Sequence, residues 1–230
     1  MENYDLSIAI PFYNEEKTVK ELTKRLVNEF EKNSIDYELI LVDNGSWDKT
    51  PEIVEELAKK NKRIKPVHVK INQGYGFGIL SGLNVANGKY IGYIDGDLEV
   101  LPSDVIKVYN KLRKEKADVC KGKRDIRSSA GFRKISSYLY DSLFLLMYFK
   151  HIEQINAKPK IMKRDCFKNM KLKSKDWFID TEILIKSLKY NYKITTEITT
   201  YAHKKNHKSH IRFSTIFEFL KNIIKYRFTD

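Results

Sequence analysis

The chain has 230 residues, of which 42% are hydrophobic and 32% are charged, so it can bury one sizeable core and is expected to form one domain with an appendage. It carries 43 Lys and Arg against 30 Asp and Glu, a formal net charge of +13. With two distant cysteines and no secretory signal pattern at its start, it is not expected to be a disulfide-stapled secreted protein, and we expect a reduced, intracellular setting.

The positive charge is concentrated in the second half of the chain. Residues 1–120 carry 18 Lys and Arg against 20 Asp and Glu, whereas residues 121–230 carry 25 against 10. A basic half favours a polyanionic partner, such as a phosphorylated acceptor, an anionic membrane surface or nucleic acid. A lysine-rich solvated face is the alternative interpretation.

Strand-like and helix-like segments alternate through the first 120 residues. Buried strands are predicted at 6–11, 37–42, 64–69, 90–94 and 117–121, from their apolar and β-branched runs. A helix is predicted to open at Glu15, another to be capped by Thr50 ahead of Pro51, and a third to be capped by Ser103. This alternation predicts an α/β fold with a mostly parallel sheet covered by helices on both faces.

Glycines recur where the third predicted strand gives way to a helix. Gly74, Gly76 and Gly78 are spaced by two, and Gly82 follows one helical turn later. The spacing differs from a dinucleotide-binding fingerprint, and it predicts instead that backbone comes close to a ligand or to a neighbouring element.

Carboxylates gather directly after the predicted strand at 90–94. Asp95 and Asp97 flank Gly96, and Glu99 follows two residues later. The carboxyl ends of strands are where open α/β sheets bind ligands, and carboxylate oxygens suit a hard divalent cation. The segment therefore predicts a site for Mg²⁺ or Mn²⁺ bridging a diphosphate, with Asp95, Asp97 and Glu99 as ligands; a plain turn is the alternative.

The pattern changes after residue 121. A basic loop is predicted at 122–134, then an apolar helix at 136–149 that is too short to span a bilayer. A short strand and turn at 156–167, a helix at 177–188 and a strand at 192–201 follow. An amphipathic helix at 211–228 with basic flanks could lie on an anionic membrane or pack on the core. We accordingly divide the chain into a donor-binding half (1–121), an acceptor-side half of the same domain (122–210) and a C-terminal helix (211–230).

Four motifs in this order carry a resemblance to a known family. They are IPFYNEE at 10–16, LVDNGSWDKT at 41–50, the glycine segment at 72–82 and DGDLE at 95–99. Together they resemble the family-two glycosyltransferases with a GT-A fold, and within them the branch of dolichyl-phosphate mannosyltransferases and polyprenyl-phosphate glycosyltransferases. The resemblance implies a metal-dependent transferase using a GDP- or UDP-linked sugar, Mg²⁺ or Mn²⁺, and a polyprenyl phosphate acceptor.

The resemblance also assigns donor-side roles. It implies that the first nucleotide-contacting loop contains Pro11, Tyr13, Asn14 and Glu15. Asp43 matches the aspartate that contacts base or ribose, whereas Asn44 departs from the family's usual second aspartate. Gly74 belongs to the glycine segment expected beside the donor. Asp95 and Asp97 match the metal and diphosphate motif, and Glu99 falls where the branch commonly has a glutamine.

Acceptor-side roles follow from the same resemblance. Arg124 resembles the arginine of the acceptor loop, and Lys204, Ser209 and His210 fall on the branch's phosphate-binding motif with only the serine identical. The histidines at 203, 207 and 210 alternate with lysines, so phosphate binding is a better interpretation of this stretch than a zinc site.

The chemistry of the implied reaction leaves a choice of acceptor. An ionised phosphate attacks an anomeric carbon without a strong base, whereas a sugar hydroxyl needs one. Asp180 and Glu182 are candidate bases, although acidic residues at a helix start also compensate the helix dipole. We expect an inverting hexose transfer to polyprenyl phosphate by an enzyme peripheral to the cytoplasmic face of the membrane. A glycan hydroxyl acceptor is the alternative, and a nucleic-acid-binding module is disfavoured because aromatic and basic residues are not interleaved.

Overall fold

The computed structural model describes residues 4–125, 131–200, 222–223 and 226–227, with the backbone alone at 131–137 and 139. The strands in these ranges are β1 (Tyr4–Phe12), β2 (Tyr37–Asp43), β3 (Ile64–His68), β4 (Gly88–Tyr93), β5 (Val119–Arg124), β6 (Lys160–Lys163) and β7 (Ile194–Thr199). The helices are α1 (Val19–Lys32), α2 (Thr50–Lys60), α3 (Tyr75–Leu83), α4 (Pro102–Lys114), α5 (Gly131–Tyr148), α6 (Arg164–Met170) and α7 (Ile179–Lys189).

The seven strands form one sheet in the order β3-β2-β1-β4-β6-β5-β7. Every neighbouring pair is parallel except those made by β6, which runs antiparallel to both β4 and β5. The predicted α/β architecture with a mostly parallel sheet is therefore confirmed. Because β6 runs in the opposite direction, its first residues lie beside the last residues of β4, with Tyr93 opposite Lys160.

Apolar residues cover both faces of the sheet, as the alternating pattern requires. One cluster contains the apolar stripe of α1 together with residues of α4, and the other contains residues of α3, α6 and α7. Both faces of the central strands are buried, which explains why β2 is apolar at nearly every position rather than at alternate ones. Cys120 and Cys166 are free thiols within this core, in agreement with a structural role.

Several predicted boundaries are wrong for identifiable reasons. Helix α1 begins at Val19 rather than Glu15, because residues 13–18 form the turn that follows β1. Thr50 does not cap α2; its hydroxyl instead accepts a hydrogen bond from the Glu15 N–H at 2.9 Å. Ser103 is likewise not a cap, since α4 begins at Pro102 after Leu101.

Strand β5 extends further than predicted. The basic loop expected from residue 122 starts later, because Gly122, Lys123 and Arg124 pair with the parallel strand β7 as far as Thr199. This extension places Arg124 at the carboxyl end of a strand rather than in a loop.

The second half of the chain adds a smaller core beside the sheet. Phe144 of α5, Phe178 and Leu184 of the α7 region, and Ile223 are buried together. The Tyr148 hydroxyl donates to the Ile223 carbonyl at 3.2 Å, so this position of the predicted helix at 211–228 packs on protein. The rest of that helix, apart from 222–223 and 226–227, lies outside the described residues. No helix in the described parts of the chain has the length and hydropathy needed to cross a bilayer.

Candidate active site

The candidate site lies at the carboxyl edge of the sheet, where β1, β2 and β4 end side by side. Asp95, Gly96 and Asp97 form the turn that leaves β4, and the hydroxyl of Thr18 donates to the Gly96 carbonyl at 2.8 Å. Any Cβ at residue 96 would meet the Phe12 ring and the Pro11 carbonyl, so glycine is required there by packing. The turn is thus attached to the loop that follows β1.

Asp95 is held by groups from two other elements. The hydroxyl of Tyr75, at the start of α3, donates to its Oδ1, and the Nζ of Lys158 lies 3.6 Å from its Oδ2. Burial and the neighbouring Asp95 charge raise the pKa of Tyr75 well above its ordinary value, so this hydroxyl remains a donor. The carboxylate therefore has a fixed orientation.

Asp97 and Glu99 occupy the end of the same turn. Asp97 Oδ1 accepts a hydrogen bond from the Glu99 N–H at 2.9 Å, and Leu98 between them adopts a left-handed backbone with φ of 66°. The Glu99 carboxylate lies 3.8 Å from Arg124 Nη2. In the described residues no group of three or more His, Cys, Asp or Glu is arranged to hold a metal ion, so the three predicted ligands do not form one cluster.

This donor set still fits a divalent cation of the magnesium type. Mg²⁺ is usually bound by one or two carboxylates together with substrate phosphates, and hard carboxylate oxygens at Asp95 and Asp97 meet that requirement. Glu99, by contrast, lies against Arg124 and acts as its ionic partner.

Asp43 is the last residue of β2 and Asn44 follows it, at the same edge of the sheet as this turn but on the other side of β1, and both are buried. Asp43 accepts from the Ser46 N–H at 2.9 Å and faces His68 Nδ1 at 3.3 Å. The amide nitrogen of Asn44 donates to the Gly74 carbonyl at 3.2 Å, whereas its Oδ1 is buried without a hydrogen-bond partner in the described residues. A buried acceptor with no partner is costly unless a ligand or water satisfies it.

Loops 13–16 and 46–50 are joined to each other by hydrogen bonds. The Asn14 N–H donates to Ser46 Oγ at 3.0 Å, and Asn14 Oδ1 accepts from the Trp47 N–H at 3.0 Å. The Glu15 carboxylate accepts from the Thr18 hydroxyl at 2.8 Å. Asn14 and Glu15, two of the predicted nucleotide contacts, therefore support the loop. Pro11 packs beside Gly78, and Tyr13 is 48% exposed to solvent.

The predicted close approach of the glycine segment is made to protein. Gly74 has a φ of 112°, and a Cβ there would collide with the Lys175 carbonyl. The same carbonyl accepts the Phe77 N–H at 3.0 Å, so the N-terminal turn of α3 is covered by the loop before α7. Gly82 packs in the same way on Ala9 and Val42.

Asp180, one of the two candidate bases, is 1% exposed and sits in a buried charged network. Its Oδ1 accepts from the Tyr93 hydroxyl at 2.6 Å and from Lys160 Nζ, and its Oδ2 lies 3.1 Å from Lys158 Nζ. Burial opposes ionisation, but Lys158 and Lys160 lower the pKa of Asp180, so it is a carboxylate. Burial lowers the pKa of Lys160 to about 8.

Glu182, the other candidate base, is fully buried away from the network. Its carboxylate accepts from the Lys173 and Ser174 N–H groups at 2.8–3.0 Å and pairs with Lys186 at 2.9 Å. Lys173 and Ser174 belong to the segment before α7, and Lys186 belongs to α7 itself. Glu182 is fully buried and bonded to these structural partners, which counts against its role as a base.

Of the predicted acceptor-side residues, the structure describes Arg124. Lys204 and Ser209 lie outside the described residues. Gln154 fixes its backbone from both sides, accepting from the Arg124 N–H at 2.8 Å and donating to its carbonyl at 3.0 Å. Asp141 of α5 in turn accepts from the Gln154 N–H at 2.6 Å. Arg124 and Glu99 thereby join the end of β5 to the turn after β4.

Sequence reasoning missed Tyr75, Gln154, Lys158 and Lys160. The two lysines lie on either side of Pro159 in a segment interpreted only as a short strand and turn. A pair of lysines in an apolar strand is a signal for buried carboxylate partners, but nothing in the sequence says which carboxylates they meet.

Comparisons with known proteins bear on the family and the fold. The family model for glycosyl transferase family 2 matches residues 7–179. An uncharacterised protein of Methanocaldococcus jannaschii is 32% identical over 232 residues, which cover 96% of this chain and 98% of that protein. The dodecaprenyl-phosphate galacturonate synthase of Rhizobium johnstonii is 28% identical over 174 residues, which cover 75% of this chain and 52% of the relative, so the chain spans about half of its length.

A solved structure supports the fold. The glucosyl-3-phosphoglycerate synthase from Mycobacterium tuberculosis, crystallised with Mn²⁺, uridine-diphosphate-glucose and phosphoglyceric acid, has a TM-score of 0.73. The match covers 97% of this chain and 78% of that chain at 18% identity, and it identifies the sheet and helices described above as a GT-A fold.

Proposed function

The chain belongs to glycosyl transferase family 2, and on that basis we propose that it transfers a hexose, with inversion, from a nucleotide diphosphate sugar to a polyprenyl phosphate. The observation that carries the proposal is the position of Asp95 and Asp97. They leave the central strand β4 beside the loops that follow β1 and β2, which is where a doubly covered sheet binds nucleotides.

The nucleoside would be recognised by residues at the ends of β1 and β2. Asp43 is held in place by Ser46 and His68, and the partnerless Oδ1 of Asn44 is an acceptor available to a hydroxyl or N–H of the ligand. Tyr13 is exposed enough to pack on the base. Whether the base is guanine or uracil depends on pocket shape, and the donor is either GDP- or UDP-linked in this proposal.

Asp95 and Asp97 would hold Mg²⁺ or Mn²⁺ against the diphosphate. When bound, such an ion neutralises the negative charge that develops on the leaving diphosphate. The protein's contribution is orientation: the Tyr75 hydroxyl holds Asp95, and the hydrogen bond from the Glu99 N–H holds Asp97.

An anionic acceptor suits the groups around the site. A phosphate oxygen is ionised and can form the new bond to the anomeric carbon while the bond to the diphosphate breaks, so no proton has to be removed. Asp180 has both oxygens engaged by lysines and Tyr93 and is not placed as a free base. Arg124, with Lys204 and Ser209 as further candidates, would bind the acceptor phosphate by charge-assisted hydrogen bonds.

Membrane contact would follow from a polyprenyl acceptor. The galacturonate synthase named above carries a dodecaprenyl phosphate in its name, and exposed apolar side chains on α5 offer a surface for lipid. We place the enzyme at the cytoplasmic face, where nucleotide sugars are available to it.

A donor and acceptor screen tests the proposal. Purified protein with Mg²⁺ or Mn²⁺ should hydrolyse or transfer from one GDP- or UDP-sugar, and polyprenyl phosphate should accept the sugar in preference to a neutral oligosaccharide. Arg124→Gln should weaken acceptor use by about tenfold or more while donor hydrolysis changes little, because charge-assisted contacts are worth roughly 1.5–3 kcal/mol.

Arg63→Gln is the matched control, since Arg63 pairs with Asp36 on the opposite part of the surface. Transfer to a neutral oligosaccharide with no use of polyprenyl phosphate would contradict the proposed acceptor and favour a glycan hydroxyl. Normal acceptor use by the Arg124 variant would remove the role given to that arginine.

A further inference from the structure

Lys158 is a buried cation placed against a candidate metal ligand. It lies just before β6, whose antiparallel direction brings it to the carboxyl end of β4. Only 6% of its side chain is exposed, and its Nζ lies 3.6 Å from Asp95 Oδ2 and 3.1 Å from Asp180 Oδ2. One ammonium therefore faces the carboxylate of the donor site and the carboxylate of the buried network.

Asp180 does not account for Lys158 by itself. Lys160 is fully buried and already donates to Asp180 Oδ1, as does the Tyr93 hydroxyl. Two lysines therefore share the Asp180 carboxylate, and Lys158 also lies within ion-pair distance of Asp95.

The surroundings of Lys158 strengthen its electrostatic effect. Its Nζ lies 5.0 Å from the centre of the Tyr75 ring and 5.7 Å from that of the Trp177 ring, and these rings stack on each other with centroids 4.1 Å apart. Aromatic walls exclude water and favour a cation, and charges interact more strongly away from bulk solvent.

We propose that Lys158 is a built-in cation of the diphosphate site, one that competes with a divalent ion for Asp95 and also binds the anionic diphosphate. The proposal rests on the donor site proposed above. The proposal predicts opposite effects on the binding of two ligands. Removing this charge should strengthen the binding of a metal cation and weaken the binding of a diphosphate anion. A lysine that merely held Asp95 in position would, when removed, weaken both.

Two binding titrations on the full chain test this. Mn²⁺ alone is titrated by electron paramagnetic resonance, and inorganic pyrophosphate is titrated by calorimetry in the presence of a chelator. The proteins are wild type, Lys158→Met and Lys158→Arg. Lys163→Met is the matched control, because it removes the same charge from the far end of β6, where Lys163 pairs with Asp118 at 2.8 Å.

Wild type should bind pyrophosphate without metal. Lys158→Met should bind Mn²⁺ about tenfold more tightly and pyrophosphate about tenfold more weakly than wild type, since a charge within 4–6 Å commonly changes an ionic equilibrium by that factor or more. Lys158→Arg and Lys163→Met should both stay close to wild type for Mn²⁺.

The outcomes separate this inference from the proposed donor site. Loss of both affinities in a folded Lys158→Met protein overturns the inference and leaves a positioning role. Failure of wild type to bind pyrophosphate without metal also overturns it, and that measurement needs no variant. If wild type binds neither Mn²⁺ nor any nucleotide diphosphate, the proposed donor site fails as well. Should Lys158→Met not fold, Lys158→Gln replaces it, and an Mn²⁺ affinity unchanged from wild type would again count against the inference.

Discussion

Lys121 is fully buried next to the charged network, and its ammonium donates to the carbonyls of Gly122 at 3.0 Å and Glu153 at 2.8 Å. Burial, with the neighbouring Lys160 charge, lowers its pKa to about 7. In the unfolded chain the pKa of a lysine is about 10.4, so between pH 7 and that pH the unfolded state binds more protons than the folded state. The free energy of unfolding should therefore rise with pH across this window.

Lys121→Met removes this contribution. The difference in unfolding free energy between wild type and the variant should change in favour of wild type from pH 7 to pH 10, by up to about 1.4 kcal/mol per pH unit. Urea denaturation at several pH values measures it. Lys65→Met is the control, because Lys65 is a partly buried lysine that donates to the Val85 carbonyl. If the unfolding free energies of wild type and Lys121→Met vary with pH in parallel, the expectation is contradicted.

Asp97 gives the sharpest single-residue test of the donor site. Asp97→Asn keeps an acceptor for the Glu99 N–H and removes the charge, so the fold should persist while turnover falls by about a hundredfold or more, the usual scale for losing a group that stabilises developing charge. Thermal unfolding and transfer assays measure the two effects. Asp36→Asn, at a surface aspartate paired with Arg63, controls for charge, and near-normal turnover with added Mn²⁺ would rule Asp97 out.

Helix α5 (Gly131–Tyr148) presents an exposed apolar face that suits the proposed lipid acceptor. Tyr138, Leu145 and Leu146, together with Phe149 just beyond its end, leave between 40% and 77% of their side chains exposed, and all lie within one broad stripe. Phe144, on the other side, is buried against α7. The apolar helix predicted at 136–149 thus has one face in the core and one face exposed to solvent.

Replacing Leu145, Leu146 and Phe149 with serine should weaken binding to lipid vesicles. Each exposed apolar side chain contributes roughly 1.5–3 kcal/mol when buried, so the triple variant should partition at least about tenfold less into vesicles. Co-sedimentation measures the effect, with Ile198→Ser as the control because Ile198 is equally exposed but lies on β7. Unchanged sedimentation of the triple variant would mean that α5 does not contact lipid.

The elements of the first 120 residues could be predicted because each has a local signal. Strands β1 to β4 are largely apolar segments bounded by turn residues. The place of Asp95 and Asp97 at the edge of the sheet could be predicted because they directly follow the strand at 90–94. Strand β6 (Lys160–Lys163) lies within the short strand and turn predicted at 156–167, but its place between β4 and β5 depends on pairing between distant segments. The contacts of Lys158 with Asp95 and Asp180 could not be predicted for that reason.

The N-cap predicted at Thr50 is also wrong, because a tertiary hydrogen bond uses its side chain. Thr50 is a good N-cap by residue type, but its hydroxyl serves the Glu15 N–H, and Asp48 Oδ1 accepts the Thr50 N–H at 2.9 Å instead. Helix propensity is a local preference, and a bond between two loops that build a ligand site overrides it.

At the scale of the whole molecule, charge is divided between the two halves of the sequence. The excess of basic residues beyond residue 120 should draw the protein to anionic surfaces through attraction that is screened over about 10 Å at 0.1 M salt. The protein should therefore sediment with vesicles containing anionic phospholipid at low salt and be released at high salt. Neutral phosphatidylcholine vesicles provide the comparison, and equal recovery in the supernatant with both lipids would contradict a membrane role for this charge.

The antiparallel β6 also governs the order in which the protein can be completed during synthesis. Among the described strands, β5 joins the rest of the sheet through β6, and residues 125–159 separate the two along the chain. Until residues 160–163 have left the ribosome, β4 presents an open edge of unpaired backbone groups, which is a template for pairing between nascent chains. A chain shortened to end before β6 would keep Asp95 and Asp97 yet expose this edge, so aggregation rather than partial activity is the outcome to anticipate for such fragments.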